Sequence, residues 1–134
     1  MGWRGKVYVG KDRRIPDAAE HLFFVLTSAD TDDKKLVLVG MTSLKDRDAL
    51  PCILDPDDED CQQIREYLVI RSTVAYWDVH TPTVAELCDG IGPALKFLTI
   101  VPESLIQRIE DGLLAMHEHV NPIAIKLIKE DRGS

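Results

Sequence analysis

Two short apolar segments separated by a polar connector constrain the fold of this chain more than any other feature. The segments, 22–26 and 36–39, are dense in β-branched and aromatic residues and are too short for buried helices. The connector, 28–35, consists mainly of Ser, Thr, Asp and Lys residues, which are typical of turns. The pattern therefore predicts two buried strands that pair antiparallel.

Similar patterns predict further strands along the first two thirds of the chain. Alternating or β-rich residues occur at 5–10, 67–70, 73–77 and 95–100. Two prolines and an acidic cluster predict a long loop over 45–63, in which only 52–54 has the composition of a strand. A short turn of helix is expected at 83–87.

The C-terminal third has helical periodicity instead. Within 102–116, Leu105, Ile109, Leu113 and Met116 lie on one helical face, and a second amphipathic stretch follows at 122–129. We therefore predict a mainly β fold with one or two C-terminal helices. A length of 134 residues fits one domain, 1–134.

Composition narrows the cellular setting and the function classes. No apolar run approaches the roughly 20 residues of a membrane helix, and the N-terminus lacks the apolar stretch of a secretory signal. Three cysteines without metal-ligand spacing favour reduced thiols over a disulfide framework. We therefore expect a cytoplasmic protein without a membrane partner.

The charge is distributed unevenly along the chain. The net charge is −7, which argues against indiscriminate binding of nucleic acids. Residues 1–14, however, contain five basic residues, including Arg13 and Arg14, and only one acidic residue, a net charge of +4. This segment is a candidate contact for a polyanion. The alternative is a solvated strand edge whose cations prevent aggregation.

Histidine and hydroxyl residues mark the ends of the two apolar segments. His21 precedes the first segment, whereas Thr42 and Ser43 follow the second. Antiparallel pairing would bring these three residues to one end of the sheet. An imidazole can act as base or acid near neutral pH, and hydroxyls can position a phosphate, so these are candidate catalytic residues. The alternative is a strand-edge histidine bonded to backbone, beside turn-forming hydroxyls.

Cations and a further hydroxyl occur beside these candidates. They are the candidate substrate-binding residues Lys45, Arg47, Arg71 and Ser72. Aromatic residues could stack on bases or pack in the core; they are Trp3, Tyr8, Tyr76 and Trp77.

Signals for a metal or another cofactor are weak. The acidic cluster 55–60 lacks the glycine and terminal glutamate spacing of a calcium loop, and a solvated loop is the alternative. His117 and His119 have no clear third ligand nearby in sequence. We therefore expect no metal and no cofactor, with a metal-dependent hydrolase as the minor alternative.

Five short motifs occur in the order and approximate spacing seen in toxins of the MazF/PemK family, over roughly residues 5–116. They are Gly5-Lys6-Val7-Tyr8-Val9, Val25-Leu26-Thr27, Met41-Thr42-Ser43, Ser72-Thr73-Val74 and Leu98-Thr99-Ile100-Val101-Pro102-Glu103. The chain therefore resembles that family. Where the family usually has a catalytic arginine followed by proline, this chain has His21 and Leu22.

The resemblance implies an SH3-like β-barrel over 5–101 with a helical segment over 102–134, usually assembled as a homodimer. It also implies metal-independent cleavage of RNA to a 2′,3′-cyclic phosphate, and a cognate antitoxin protein as partner. In this hypothesis His21 is the general base or acid, Thr42 and Ser43 position the phosphate, and nearby cations neutralise its charge. The alternative is a catalytically inactive barrel that acts as a protein-interaction or regulatory module.

Overall fold

A computed structural model describes residues 3–11, 21–43, 53–55, 57–67, 72–88 and 94–133. It contains six strands, namely β1 (Lys6–Lys11), β2 (His21–Val25), β3 (Leu38–Ser43), β4 (Ile53–Leu54), β5 (Ser72–His80) and β6 (Ala94–Ile100). It also contains three α-helices, α1 (Val84–Cys88), α2 (Glu103–Ala115) and α3 (Pro122–Arg132). Two 3₁₀ helices cover Glu59–Tyr67 and His117–His119. The fold is mainly β with C-terminal helices, as predicted, whereas the division into domains stays a prediction.

The strands form one antiparallel sheet in the order β4-β5-β3-β2-β1-β6. β2 lies between β1 and β3, with Phe23 opposite Tyr8 on one side and Gly40 on the other. The two apolar segments of the sequence therefore pair antiparallel, as predicted. On its other side β3 pairs with β5, where Thr42 lies opposite Thr73 and Ser43 lies opposite Ser72.

One face of the sheet is covered by α2 and α3. Alternation in β2 directs Leu22 and Phe24 to this face, where they join a core that includes Leu105, Ile109 and Ile128. Side chains of this core are almost completely excluded from solvent. Burial of apolar surface on this scale is the main source of the fold's stability. We call this the helix-covered face.

The opposite face of the sheet has a smaller apolar cluster. It contains Phe23, Val25 and Leu38, with Val84 and Leu87 of α1 packed over them. The helix is short but well capped, because the Thr83 side chain accepts from the Glu86 N–H while Glu86 accepts from the Thr83 N–H, both at 3.1 Å. We call this the open face, because half-exposed aromatic side chains flank its cluster.

An ion-pair network ties the N-terminal segment to the C-terminal helices. The Arg4 guanidinium donates to Glu103 at 2.8 Å, to Glu110 at 2.8 Å and to the Leu26 carbonyl. Gly5 turns the chain into β1 with a φ of +94°, a conformation that L side chains rarely adopt. Arg4 is thereby held against α2, which explains why Glu110 is buried although it is charged.

The segment predicted as a long loop over 45–63 is confirmed in one respect and wrong in another. β4 occupies 53–54, where the composition indicated a strand. The loop assignment is wrong from Glu59 onward, because a 3₁₀ helix begins there and ends at Tyr67, where a strand was expected to begin. Cys61 and Ile64 are fully buried in the core of the helix-covered face. Their spacing of three residues matches the period of a 3₁₀ helix, which places both side chains on one side. The helix was not predicted because this short apolar repeat is surrounded by charged and polar residues.

Candidate active site at the start of β2

His21 opens β2 at the end of the sheet where β3 carries its hydroxyl residues. It pairs with Gly10 of β1, and its Nδ1 lies 3.1 Å from the carbonyl oxygen of Met41 in β3. The paired register of β2 and β3 covers Val25 to Phe23 and ends two residues before His21. The contact with Met41 confirms that His21 lies close to the end of β3, and its pairing with Thr42 stays a prediction.

The contact with Met41 determines how the imidazole can act. A backbone carbonyl can only accept a hydrogen bond, so Nδ1 must carry the proton and donate it. In the neutral ring, the lone pair then lies on Nε2. A half-buried imidazole held in this tautomer can accept a proton at Nε2 from a substrate hydroxyl. The contact is also the one expected of the alternative, a strand-edge histidine bonded to backbone, and the role of His21 as a general base stays a prediction.

Hydroxyl-bearing residues form a ladder beside the histidine. Thr42 pairs with Thr73, and Ser43 pairs with Ser72, at the adjoining ends of β3 and β5. Ser72 also pairs with Leu54, so the ladder is the point at which three strands meet. The backbone thus places the predicted residues Thr42, Ser43 and Ser72 together near His21. Their roles stay predictions.

The predicted cations lie outside the described residues. These are Lys45 and Arg47 after β3, Arg71 before β5, and Arg13 and Arg14 between β1 and β2. Each follows or precedes a strand end that the structure does describe. Their assignment to substrate binding stays a prediction.

The acidic segment is paired with a helix of the core. Arg108 of α2 donates to Asp60 at 2.7 Å and to Asp58 at 3.1 Å. Ligand atoms of Asp58, Asp60 and Cys61 lie within 4.8 Å of one another, which is a separation compatible with a metal site. Burial, with the nearby carboxylates, raises the pKa of the Cys61 thiol to about 12. The carboxylates act here as ion-pair partners of Arg108.

His117 and His119 are exposed on the second 3₁₀ helix. The Nδ1 atom of His117 lies 3.1 Å from the Leu114 carbonyl. In the part of the chain that is described, neither histidine belongs to a group of three metal-ligating side chains.

An aromatic cluster on the open face was not identified from the sequence. Phe97 of β6 packs edge-to-face on Tyr8 of β1, with ring centroids 5.8 Å apart. The Lys6 Nζ lies 4.3 Å from the centroid of Trp3 and 5.8 Å from that of Phe97. Trp3 and Tyr8 were candidates for base stacking, but Phe97 was not. Phe97 joins the cluster because it lies opposite Tyr8 in the pairing of β1 with β6. That pairing joins distant segments and is not visible in the local sequence.

Comparisons with known proteins assign no function to this chain, so its functional interpretation rests on the geometry described above. Neither the models of known protein families nor the curated proteins gave a match to this chain. Among the residues described, no helix has the length and apolar character needed to cross a membrane.

Proposed function

We propose that this chain is a metal-independent endoribonuclease. The observation that supports the proposal best is the hydrogen bond of His21 Nδ1 to the Met41 carbonyl. It holds the imidazole at the end of β3, the strand to which Thr42 and Ser43 belong, and leaves Nε2 to accept a proton. RNA is a suitable substrate because its 2′-hydroxyl is an internal nucleophile that needs only a base and a stabilised phosphate.

The reaction follows from these groups. Nε2 of His21 removes the 2′-hydroxyl proton as the 2′-oxygen bonds to the adjacent phosphorus. The bond from phosphorus to the 5′-oxygen breaks, and that oxygen takes up a proton from water. The products are a 2′,3′-cyclic phosphate and a 5′-hydroxyl. Thr42 and Ser43 position the phosphate, and Lys45, Arg47 and Arg71 neutralise its developing charge.

The proposal extends to the type of protein. The fold would be an SH3-like barrel of the MazF/PemK type, in which the sheet curls until its edges approach. Contacts of the first 3₁₀ helix, which follows edge strand β4, with β6 at the other edge support that curvature. In a toxin of this type the barrel forms a homodimer, and a cognate antitoxin blocks it in the cytoplasm.

Cleavage of a mixed-sequence RNA in EDTA tests the proposal. The wild type should produce cuts that end in cyclic phosphate, and His21→Ala should lower the rate about 10²- to 10⁴-fold, the usual contribution of a general acid or base. His21→Asn keeps a donor for the Met41 carbonyl but has no Nε2, so it should be as inactive as His21→Ala and retain the fold.

His117→Ala is the matched control, because it removes an exposed histidine far along the chain from the site. It should cleave as the wild type does. Equal cleavage by wild type and His21→Asn would contradict the role of His21. Absence of cuts by folded wild-type protein, without growth arrest on expression, would favour the inactive interaction module.

A further inference from the structure

The aromatic cluster on the open face combines features that a nucleobase and its phosphate require. Phe97 is 49% exposed although it is a large apolar side chain in a strand. Lys6 lies over the Trp3 ring and within reach of Phe97, so a cation adjoins the exposed ring. Burial raises the pKa of the Tyr8 hydroxyl, which keeps this neighbour of Phe97 uncharged. An exposed ring beside a cation can stack a base and bind a phosphate.

Charge is segregated in favour of a polyanion at this surface. The chain has 23 acidic residues, yet none occurs in the described strands β1, β2, β3 and β6. Of the lysines in those strands, Lys6 lies on the open face near Phe97, whereas Lys96 alternates with Phe97 and belongs to the opposite face. The open face of these four strands therefore carries a cation and no carboxylate within a protein of net charge −7. This complementarity favours a nucleic acid strand over an acidic or neutral protein surface.

The cluster and His21 share one face of the sheet. Phe97 pairs with Tyr8, which pairs with Phe23; Leu95 pairs with Gly10, which pairs with His21. Each residue of the first set lies two positions along its strand from its counterpart in the second set. Side chains two positions apart in a strand point to the same face, so Phe97 and His21 share one face. Phe97 lies two strands across and two residues along from His21, which corresponds to about 12 Å between Cα atoms. A few nucleotides of single-stranded RNA span that distance.

We propose that the open face binds single-stranded RNA, with a base stacked on Phe97 and an adjacent phosphate paired with Lys6. This inference rests on the proposed function, since it assigns a binding subsite for the same substrate. The strand then runs across β1 toward His21. The cluster is a binding platform and takes no part in bond cleavage.

Binding is measured separately from cleavage with a short labelled RNA that is 2′-O-methylated throughout. This RNA has no free 2′-hydroxyl and cannot form a cyclic phosphate. Fluorescence anisotropy should show Phe97→Ala and Phe97→Leu to weaken binding about 5- to 150-fold, the usual effect of losing one base stack. Phe97→Tyr retains a ring and should bind as the wild type does. Ile123→Ala is the control, because Ile123 is 48% exposed on α3, away from the sheet.

Lys6→Gln tests the phosphate contact. The slope of log K against log salt should decrease in magnitude by about 0.7, because one phosphate contact is lost from a single strand. An unchanged slope would overturn the contact with Lys6. Unchanged affinity in Phe97→Ala, or equal loss in Ile123→Ala, would overturn the stacking platform.

The two proposals fail differently. Phe97-dependent binding by a wild type that cuts no RNA would contradict the nuclease and leave the platform intact. Cleavage that depends on His21 but binding indifferent to Phe97 would contradict the platform alone. A concentration-dependent mass that falls in Phe97→Ala, without any RNA binding, would mean that Phe97 contacts a second copy of the chain instead.

Discussion

The two faces of the sheet differ in what their side chains can do. On the helix-covered face, Phe24, Leu105 and Ile109 are completely excluded from solvent. Among the described side chains of the open face, a smaller cluster around Phe23 is buried, and Phe97 is half-exposed. The larger core therefore lies on the helix-covered face, which leaves the open face to carry His21 and exposed aromatic rings. The difference shows how a small fold separates packing from binding chemistry.

Charged groups differ between the faces in the same way. On the helix side, Glu110 is fully buried, and its Oε2 has no hydrogen-bond partner within the described part of the chain. Its Oε1 accepts from Arg4 at 2.8 Å and lies 3.5 Å from Arg132. Hydrogen bonding to Glu110 raises the pKa of Arg4, which keeps the guanidinium charged. On the open face, Lys6 is only half-buried and contacts rings instead of carboxylates.

The largest effect is expected from Arg4→Ala. Removing the guanidinium leaves the buried Glu110 charge with only the longer contact to Arg132 at 3.5 Å, and loss of a buried partner typically costs about 3–5 kcal/mol of the free energy of unfolding. Urea denaturation measures this loss. Adding Glu110→Gln to Arg4→Ala should restore part of the stability, because the buried charge is then removed.

Arg65→Ala is the matched control for that experiment. Arg65 is 55% exposed and lies 3.3 Å from Asp57, which is 86% exposed. Loss of such a surface pair should change the free energy of unfolding by about 0.5 kcal/mol or less. Similar losses in Arg4→Ala and Arg65→Ala would contradict the importance assigned to the buried pair.

The next effect compares one apolar side chain from each face. Ile109→Ala should lower the free energy of unfolding by about 2–5 kcal/mol, because it leaves a cavity in the core under the helices. Phe97→Ala should lower it by less than about 1 kcal/mol, because half of that ring is already in water. Thermal or urea unfolding of both variants checks the contrast. Equal losses would mean that the open face also stabilises the fold.

The smallest effect concerns two cysteines. Cys61 is buried under the helix side with a pKa raised to about 12, whereas Cys88 is exposed on α1. At pH 9, iodoacetamide should modify Cys88 and leave Cys61 intact in the folded protein, because the thiolate is the reactive form. Peptide mass mapping distinguishes the sites. Equal modification of both would contradict the burial of Cys61.

The same pKa has a consequence for stability. The folded state keeps the Cys61 proton to a higher pH than the unfolded chain does. The protonated Cys61 thiol therefore contributes fully to the free energy of unfolding below about pH 9, and this contribution is lost as the pH rises toward 12. Cys61→Ala should remove this component of the alkaline decline.

Much of the secondary structure could be predicted, because periodicity is a local property. β1, β2, α2 and α3 all occur where the sequence pattern predicted them. The meeting of His21 with the end of β3 followed from antiparallel pairing of two neighbouring segments. The 3₁₀ helix at 59–67 was missed because its apolar repeat, Cys61 and Ile64, is embedded in acidic and polar residues.

Contacts between distant segments could not be predicted in the same way. Arg4 and Glu110 are separated by 106 positions, and no local pattern relates them. Arg108 likewise reaches Asp60 across 48 positions. The sequence alone was enough to determine where strands change to helices and that a basic N-terminal segment precedes an acidic remainder. Only the tertiary structure decided that Glu110 is buried, that Phe97 is exposed and that the His21 imidazole donates to Met41. The reason is physical: hydrophobic period depends on neighbours along the chain, whereas burial and hydrogen-bond partners depend on neighbours in space.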